Sequence, residues 1–116
     1  MNQKEESFRM RDKGARHCYF VISKVDAEGK VLVVNCSTYR RMRGEDTTCI
    51  IRVGEHDFIK EESYSPYNYA KIMDYSEVQK LNPVRDVSVE LYEKLREGCK
   101  MSDYTPQYIL SYILSH

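Results

Sequence analysis

The sequence predicts an α+β fold in which a small antiparallel β-barrel or curled sheet is followed by C-terminal helices. Short runs rich in β-branched and aromatic residues lie close together in residues 15–75, as is typical of small sheets and barrels. From residue 76 onward the apolar residues recur at helical spacing. We therefore expect a polar N-terminal segment over 1–14, a barrel over 15–75 and a helical extension over 76–116 that packs on the barrel.

The first two predicted strands form a hairpin. Residues 15–23 are rich in aromatic and β-branched side chains, and residues 30–38 form an even clearer strand. Between them, an acidic stretch that ends at Gly29 reverses the chain. This pattern predicts an antiparallel hairpin with a loop of about five residues.

Two further strands and two loops are predicted in the rest of the barrel region. Residues 48–53 form an apolar run that ends at Gly54, and residues 69–74 are long enough for another strand. Residues 39–47 are polar and rich in arginine, and residues 55–69 lack periodicity. We expect the first stretch to be a loop and the second to be an ordered loop.

Capping residues and apolar spacing indicate the helices. Residues 76–81 are expected to hold a short turn. Residues 86–98 carry apolar residues at every fourth position, and Gly98 is placed to end that helix. Thr105 followed by Pro106 marks the start of a last helix, which we expect to lie across an open face or end of the sheet.

Length and charge set limits on the class of protein. The 116 residues have room for one domain. The formal net charge of zero excludes a strongly basic nucleic-acid wrapper, yet residues 1–52 carry 11 Lys and Arg against 7 Asp and Glu. No apolar run approaches the roughly 20 residues that cross a bilayer, and residues 1–11 are polar. We therefore expect a cytoplasmic protein with no membrane partner.

The cysteines favour buried, reduced thiols. Cys18, Cys36 and Cys49 each lie inside an apolar, strand-like run, and Cys99 lies in the helical region. Structural zinc sites commonly use a C-x-x-C pair, and the sequence contains none. No metal site and no cofactor are expected.

Basic groups and one loop supply the candidate site. Arginines cluster near Arg16 and again at Arg40 and Arg41, where they can meet phosphates; solvated loops, or pairing with the acidic C-terminal half, are the alternative. About a dozen loop residues hold five groups able to react or to bind, namely His56, Lys60, Ser63, Tyr64 and Tyr67. His17 lies on the first predicted strand, from which it could approach the same loop in a small barrel.

Two histidines and a lysine would suffice for metal-free cleavage of RNA. One imidazole takes the 2′-hydroxyl proton, another protonates the leaving oxygen, and Lys60 stabilises the developing charge. The alternatives stay open: His17 can be a core residue, and His56 can brace its loop. The tyrosines can stack on bases or can anchor loops through their hydroxyl groups.

The strand sequences resemble a known family. Residues 17–23 and 29–38 look like the opening of the PemK/MazF-like, SH3-type barrels, in which a V-V-L/I-S strand leads through a turn into an apolar-V-N/P-x-T/S strand. Further segments are similar to a divergent bacterial and phage-associated branch of that family: Cys49-Ile-Ile, residues 54–60, Ser63-Tyr64 and Tyr67-x-x-Ala70. The likeness spans about residues 15–75.

The resemblance implies an SH3-like barrel and a toxin of a toxin–antitoxin or phage-defence type system. Such a toxin cleaves single-stranded RNA without a metal, acts as a homodimer and is neutralised by an antitoxin. Ser37 and Thr38 match the family's catalytic Thr/Ser position, and Arg16 is the nearest match to its arginine. The chain lacks the family's Gly-rich start and Arg-Pro, so the acid–base work would pass to His17 and His56 with Lys60. The substrate-binding residues would be Arg16, Arg40, Arg41, Ser63, Tyr64 and Tyr67.

A second hypothesis is a non-catalytic barrel of the same fold that binds a protein or a nucleic acid through its loops and tyrosines. The nuclease hypothesis requires the rings of His17 and His56 to converge on a water-accessible pocket near Ser37 and Thr38. The binding hypothesis has no such requirement. The position and exposure of the two imidazoles therefore separate the two hypotheses.

Overall fold

The computed structural model describes the backbone of residues 6–12, 15–56, 59–80 and 82–116, and the side chains of residues 19–56, 59–80 and 87–116. An antiparallel sheet is followed by helices, so the predicted α+β class is confirmed. The sheet is open, because the strands at its two ends do not pair with each other within these ranges. Of the two predicted architectures, the open sheet agrees with the second and not with a closed barrel.

Seven strands and three helices make up the described fold. The strands are Glu6–Asp12 (β1), Ala15–Val21 (β2), Lys30–Thr38 (β3), Ile50–Ile51 (β4), Ser63–Tyr64 (β5), Lys71–Asp74 (β6) and Asn82–Asp86 (β7). The helices are Tyr75–Val78 (α1), Val89–Met101 (α2) and Gln107–Ser115 (α3), with a 3-10 turn at Tyr67–Tyr69. The strand order is β4-β5-β3-β2-β1-β7, and β6 also pairs with β3.

Strand β3 is the centre of the sheet. It pairs with β2 as the predicted hairpin requires, with β6 along its first half and with β5 at its last two residues. Leu32 and Val34 belong to the main core, whereas Val31 and Val33 belong to a second apolar cluster. Apolar side chains are therefore buried on both faces of β3, which explains why its sequence is a continuous apolar run.

Three strands lie where the sequence did not predict them, and the shortest of the three, β5, falls within the predicted loop 55–69. Strand β1 falls in the supposed polar segment 1–14, where it pairs with β2 on one side and β7 on the other. Its apolar alternation is limited to Phe8 and Met10 among charged residues, so backbone pairing with the neighbouring strands defines this strand. Strand β7 falls in the expected helical region, and it tolerates Pro83 because it ends the strand order.

Strand β4 is shorter than the predicted run 48–53, because side chains bond the backbone at both ends. The Glu55 carboxylate accepts a hydrogen bond from the Arg52 N–H at 2.6 Å. Before the strand, Asp46 Oδ1 accepts from the Thr48 N–H at 3.0 Å. These local bonds turn the backbone away from further strand pairing.

Helices α2 and α3 pack against one face of the sheet. Helix α2 begins at its N-cap Ser88, whose Oγ accepts from the Leu91 N–H at 3.1 Å. Its apolar side chains join the core cluster, which includes Phe20, Leu32, Ile51, Tyr67, Leu91, Leu95, Ile109 and Ile113. The helices form the predicted C-terminal layer.

Gly98 does not end helix α2, as predicted, but lies within it. The helix continues to Met101, and a Cβ at position 98 would overlap the Tyr67 hydroxyl and come within 2.9 Å of the Cys49 Cβ. Tyr67 is fully buried and donates a hydrogen bond to the Leu95 carbonyl at 2.7 Å. Glycine is present because α2 passes so close to this ring.

The last helix is attached to the hairpin turn. The Tyr112 hydroxyl donates to Asp26 Oδ2 at 2.8 Å, and the other oxygen of that carboxylate accepts from the N–H groups of Lys30 and Glu28. The hydrogen bond from Lys30 is the main cause that lowers the pKa of Asp26.

None of the described helices has the length and apolar character that a membrane crossing needs.

The lowered pKa of Asp26 predicts that the stability of the protein depends on pH. The folded-state pKa of Asp26 lies below its unfolded value of about 4. The ionised carboxylate therefore contributes fully to the free energy of unfolding above the unfolded pKa, and this contribution is lost as the pH falls through the folded pKa. Asp26→Asn should therefore show a smaller drop in the urea midpoint between pH 6 and pH 3 than the wild type. Glu28→Gln is the control, and equal drops in wild type and Asp26→Asn would contradict the prediction.

Candidate functional site

The end of β3 brings several predicted site residues together. Ser37 pairs with Tyr64, and Thr38 pairs with Ser63, in the short β3–β5 ladder. Ser37 and Thr38 are half-buried at this end of β3. The Ser63 hydroxyl, by contrast, is buried and donates to the Glu61 carbonyl at 2.8 Å, so Ser63 braces the loop and does not face a ligand.

Two tyrosine rings meet beside this ladder. Tyr39 follows β3 directly, and its N–H donates to the Glu62 carbonyl at 2.9 Å. Its ring meets the ring of Tyr64 edge to face, with centroids 6.2 Å apart and planes at 68°. Both residues are half-buried. The pair is therefore held in place by the sheet and still presents aromatic surface to solvent.

An arginine loop continues from the first of these rings. The guanidinium of Arg41 lies 5.1 Å from the Tyr39 ring centroid and makes an ion pair with Glu62 at 2.7 Å. Arg40 and Arg43 are exposed. Neither is in an ion pair with any residue whose side chain the structure describes. Among the described side chains, two guanidinium groups are thus available for an anionic ligand.

A carboxylate within the same loop fixes its shape. Glu45 accepts hydrogen bonds from the backbone N–H groups of Arg40 at 3.2 Å and Met42 at 2.7 Å. Arg41 itself has a left-handed φ of 59°, a conformation that is uncommon for a residue with a Cβ. The loop is therefore a turn built around Glu45, which holds the arginine backbone beside the tyrosines.

Lys60 belongs to the same region. It is exposed and lies two residues before Glu62, whose carbonyl accepts from the Tyr39 N–H. We define the tyrosine–arginine surface as the side chains of Thr38, Tyr39, Arg40, Arg41, Arg43, Lys60 and Tyr64. Its cations are partly offset by neighbouring carboxylates, so the surface is moderately and not strongly basic.

The phenol of Tyr64 stays protonated near neutral pH. Its pKa is raised, mainly because partial burial disfavours the phenolate and also because the Glu45 carboxylate lies nearby. A neutral phenol offers an uncharged aromatic face and a hydroxyl that can donate a hydrogen bond. Tyr64 can therefore stack against a planar ligand without repelling its negative charge.

His56 is not the exposed group that the nuclease hypothesis needs. The residue is only 6% exposed, and its ring meets the core residue Phe20 edge to face at 5.6 Å. The left-handed Gly54, with φ of 101°, turns the chain just before it. The prediction of a water-accessible imidazole at position 56 is therefore wrong, because the ring packs against the core.

His17 and Arg16 lie on β2, opposite Met10 and Arg11 of β1. Their backbone is described, but their side chains fall outside the described residues. The predicted convergence of two imidazoles in one pocket nevertheless fails at His56. The metal-free acid–base pair drawn from the sequence is not supported by the described part of the chain.

Tyr67 is a core residue and not a binding residue. Its ring lies fully buried under α2, and burial raises the pKa of its hydroxyl far above the ordinary value. Tyr39 and Arg43 were missed as site residues. The signal that could have found them is a tyrosine at the end of the clearest strand, followed at once by a run of arginines.

Comparison with known proteins assigns no family. No family model matches the chain, and no curated protein matches it. The chemistry of the tyrosine–arginine surface is therefore the basis for a function. It joins fixed aromatic rings, hydroxyl groups and exposed guanidinium groups at one end of a sheet.

Proposed function

We propose that this chain binds single-stranded RNA through the tyrosine–arginine surface. The observation that carries the proposal is the contact between Tyr39 and Tyr64 at the end of β3, with the exposed Arg40 and Arg43 on the adjoining loop. Aromatic rings stack on unpaired bases, and arginine forks bind phosphate oxygens. The same residues supply both kinds of contact within one short stretch of chain.

A single strand fits this surface better than a duplex. Base faces are open to stacking only where the bases are unpaired. The rings of Tyr39 and Tyr64 are half-buried beside the end of β3. With Arg40, Arg43 and Lys60 as the phosphate contacts, the affinity should fall with salt with a log–log slope of about −2. This modest slope agrees with a net charge of zero.

Cleavage of the bound RNA is a separate prediction, carried by the PemK/MazF-like resemblance and by the half-buried hydroxyls of Ser37 and Thr38. The burial of His56 favours binding without cleavage. A homodimer and a cognate antitoxin likewise stay predictions of the resemblance. Because its ligand is RNA, we propose that the protein acts in the cytoplasm.

The proposal is tested by fluorescence anisotropy of a labelled single-stranded RNA in EDTA. Wild-type protein should bind, and the RNA should remain intact on a denaturing gel. The double variant Arg40→Gln/Arg43→Gln should bind more weakly, and its log–log salt slope should be shallower by about 1.4, or 0.7 for each lost phosphate contact.

The control is Lys24→Gln/Lys80→Gln, which removes two exposed cations near the opposite end of β3. This control should keep the wild-type affinity and slope. Equal losses in the two double variants would show that binding follows overall charge and would refute a role for the surface. RNA cleavage that survives His56→Gln would support the hydroxyl-based ribonuclease instead.

A further inference from the structure

The β2–β3 hairpin places two cysteine positions opposite each other. Cys18 and Cys36 are Cα partners in the antiparallel register. Directly opposed residues in such a pair have Cα atoms about 4.5–5.5 Å apart. That spacing falls within the roughly 4.4–6.8 Å that disulfides span, so the backbone already meets the distance requirement for a bond between these positions.

The other two cysteines are poorly placed to react. Cys49 and Cys99 are buried in the main core. Burial raises the pKa of both thiols, that of Cys99 to about 11, which disfavours the reactive thiolate. Cys36, by contrast, is half-buried at the margin of the core. Of the three cysteines whose side chains are described, Cys36 is the most accessible.

We propose that Cys18 and Cys36 form a reversible cross-strand disulfide when the protein meets a peroxide. One thiolate attacks the peroxide O–O bond, which gives a sulfenic acid and releases one water from hydrogen peroxide. The second thiol then attacks the sulfenic sulfur, forms the S–S bond and releases a second water. Two thiols are oxidised and one peroxide is reduced to two waters, and a dithiol reductant reverses the change.

The disulfide would link β2 covalently to the part of β3 that leads into the proposed binding surface. It closes a loop through the hairpin turn, and its β3 end lies two residues before Thr38. Closing a loop of this length restricts the unfolded chain. We expect the oxidised protein to have a Tm roughly 10 °C above that of the reduced protein.

Peptide mapping tests the proposal directly, because trypsin separates all four cysteines. Its cleavage after lysine and arginine places them in peptides 17–24, 31–40, 44–52 and 97–100. The full chain is reduced, treated with hydrogen peroxide, alkylated in denaturant and digested. We expect peptide 17–24 linked to 31–40, a link that dithiothreitol removes together with the rise in Tm.

The variants Cys36→Ser and Cys49→Ala make the assignment specific. Cys36→Ser should abolish both the link and the rise in Tm, whereas Cys49→Ala should retain both, with circular dichroism confirming that each variant folds. A link between 31–40 and 44–52 would overturn the proposal, since Cys49 lies near Cys36. Alkylation of all four cysteines after peroxide treatment would also overturn it.

Discussion

Gly98→Ala should lower the free energy of unfolding by about 1–3 kcal/mol, the cost of overfilling a packed core. The new methyl group would overlap the Tyr67 hydroxyl and come within 2.9 Å of the Cys49 Cβ. Neither neighbour can retreat easily, because both residues are buried and the hydroxyl is bonded to the Leu95 carbonyl. The strain outweighs the gain in helix propensity of up to about 1 kcal/mol that alanine normally brings in place of glycine.

A double-mutant cycle identifies the cause of that loss. Tyr67→Phe removes the atom nearest to the new methyl group, so the loss caused by Gly98→Ala should be smaller in the Tyr67→Phe background. Glu93→Ala, at an exposed position of the same helix, should change stability little. Urea unfolding measures all of these variants. A Gly98→Ala protein as stable as wild type would refute the close approach of α2 to Tyr67.

Tyr64→Leu should weaken the binding of single-stranded RNA by about 5- to 150-fold, which corresponds to the roughly 1–3 kcal/mol of one base stacked on an aromatic ring. Leucine keeps apolar bulk against the neighbouring chain but removes the flat face and the hydroxyl. The ring of Tyr39 loses its edge-to-face partner at the same time. Affinity is measured by anisotropy, and unfolding curves show whether the variant keeps its fold.

Tyr108→Leu provides the matched control for this substitution. Tyr108 is 60% exposed on α3, outside the tyrosine–arginine surface. This variant should bind RNA as the wild type does. If Tyr64→Leu folds and binds with unchanged affinity, stacking on this ring plays no part in recognition.

The strongest local patterns predicted the fold most reliably. The apolar run Lys30–Thr38, the hairpin and the two long helices follow from residue spacing and capping, which act over a few neighbouring residues. Strands β1, β5 and β7 could not be found in this way, since their sequences are short or mostly polar and they exist through pairing with other segments. Gly98 was predicted to end the helix, but glycine is required there by a tertiary contact with Tyr67 and Cys49, which local spacing does not reveal.

The candidate site was predicted in part. Arg40, Arg41 and Tyr64 were chosen for residue type, and the structure brings them together because β5 pairs with the end of β3. His56 and Tyr67 were chosen on the same grounds, yet both are buried. Residue type identifies groups able to bind or react, but the burial of an aromatic side chain in a loop depends on what packs against it, here Phe20 and α2.

A titration of isotopically labelled protein with single-stranded RNA, followed by amide chemical shifts, tests the central claim most directly. Recognition by the tyrosine–arginine surface predicts the largest shift changes in residues 37–43 and 60–64, with little change at Asp26 and along α3. Changes concentrated on α3, or no change at RNA concentrations well above those of the anisotropy titration, would contradict it.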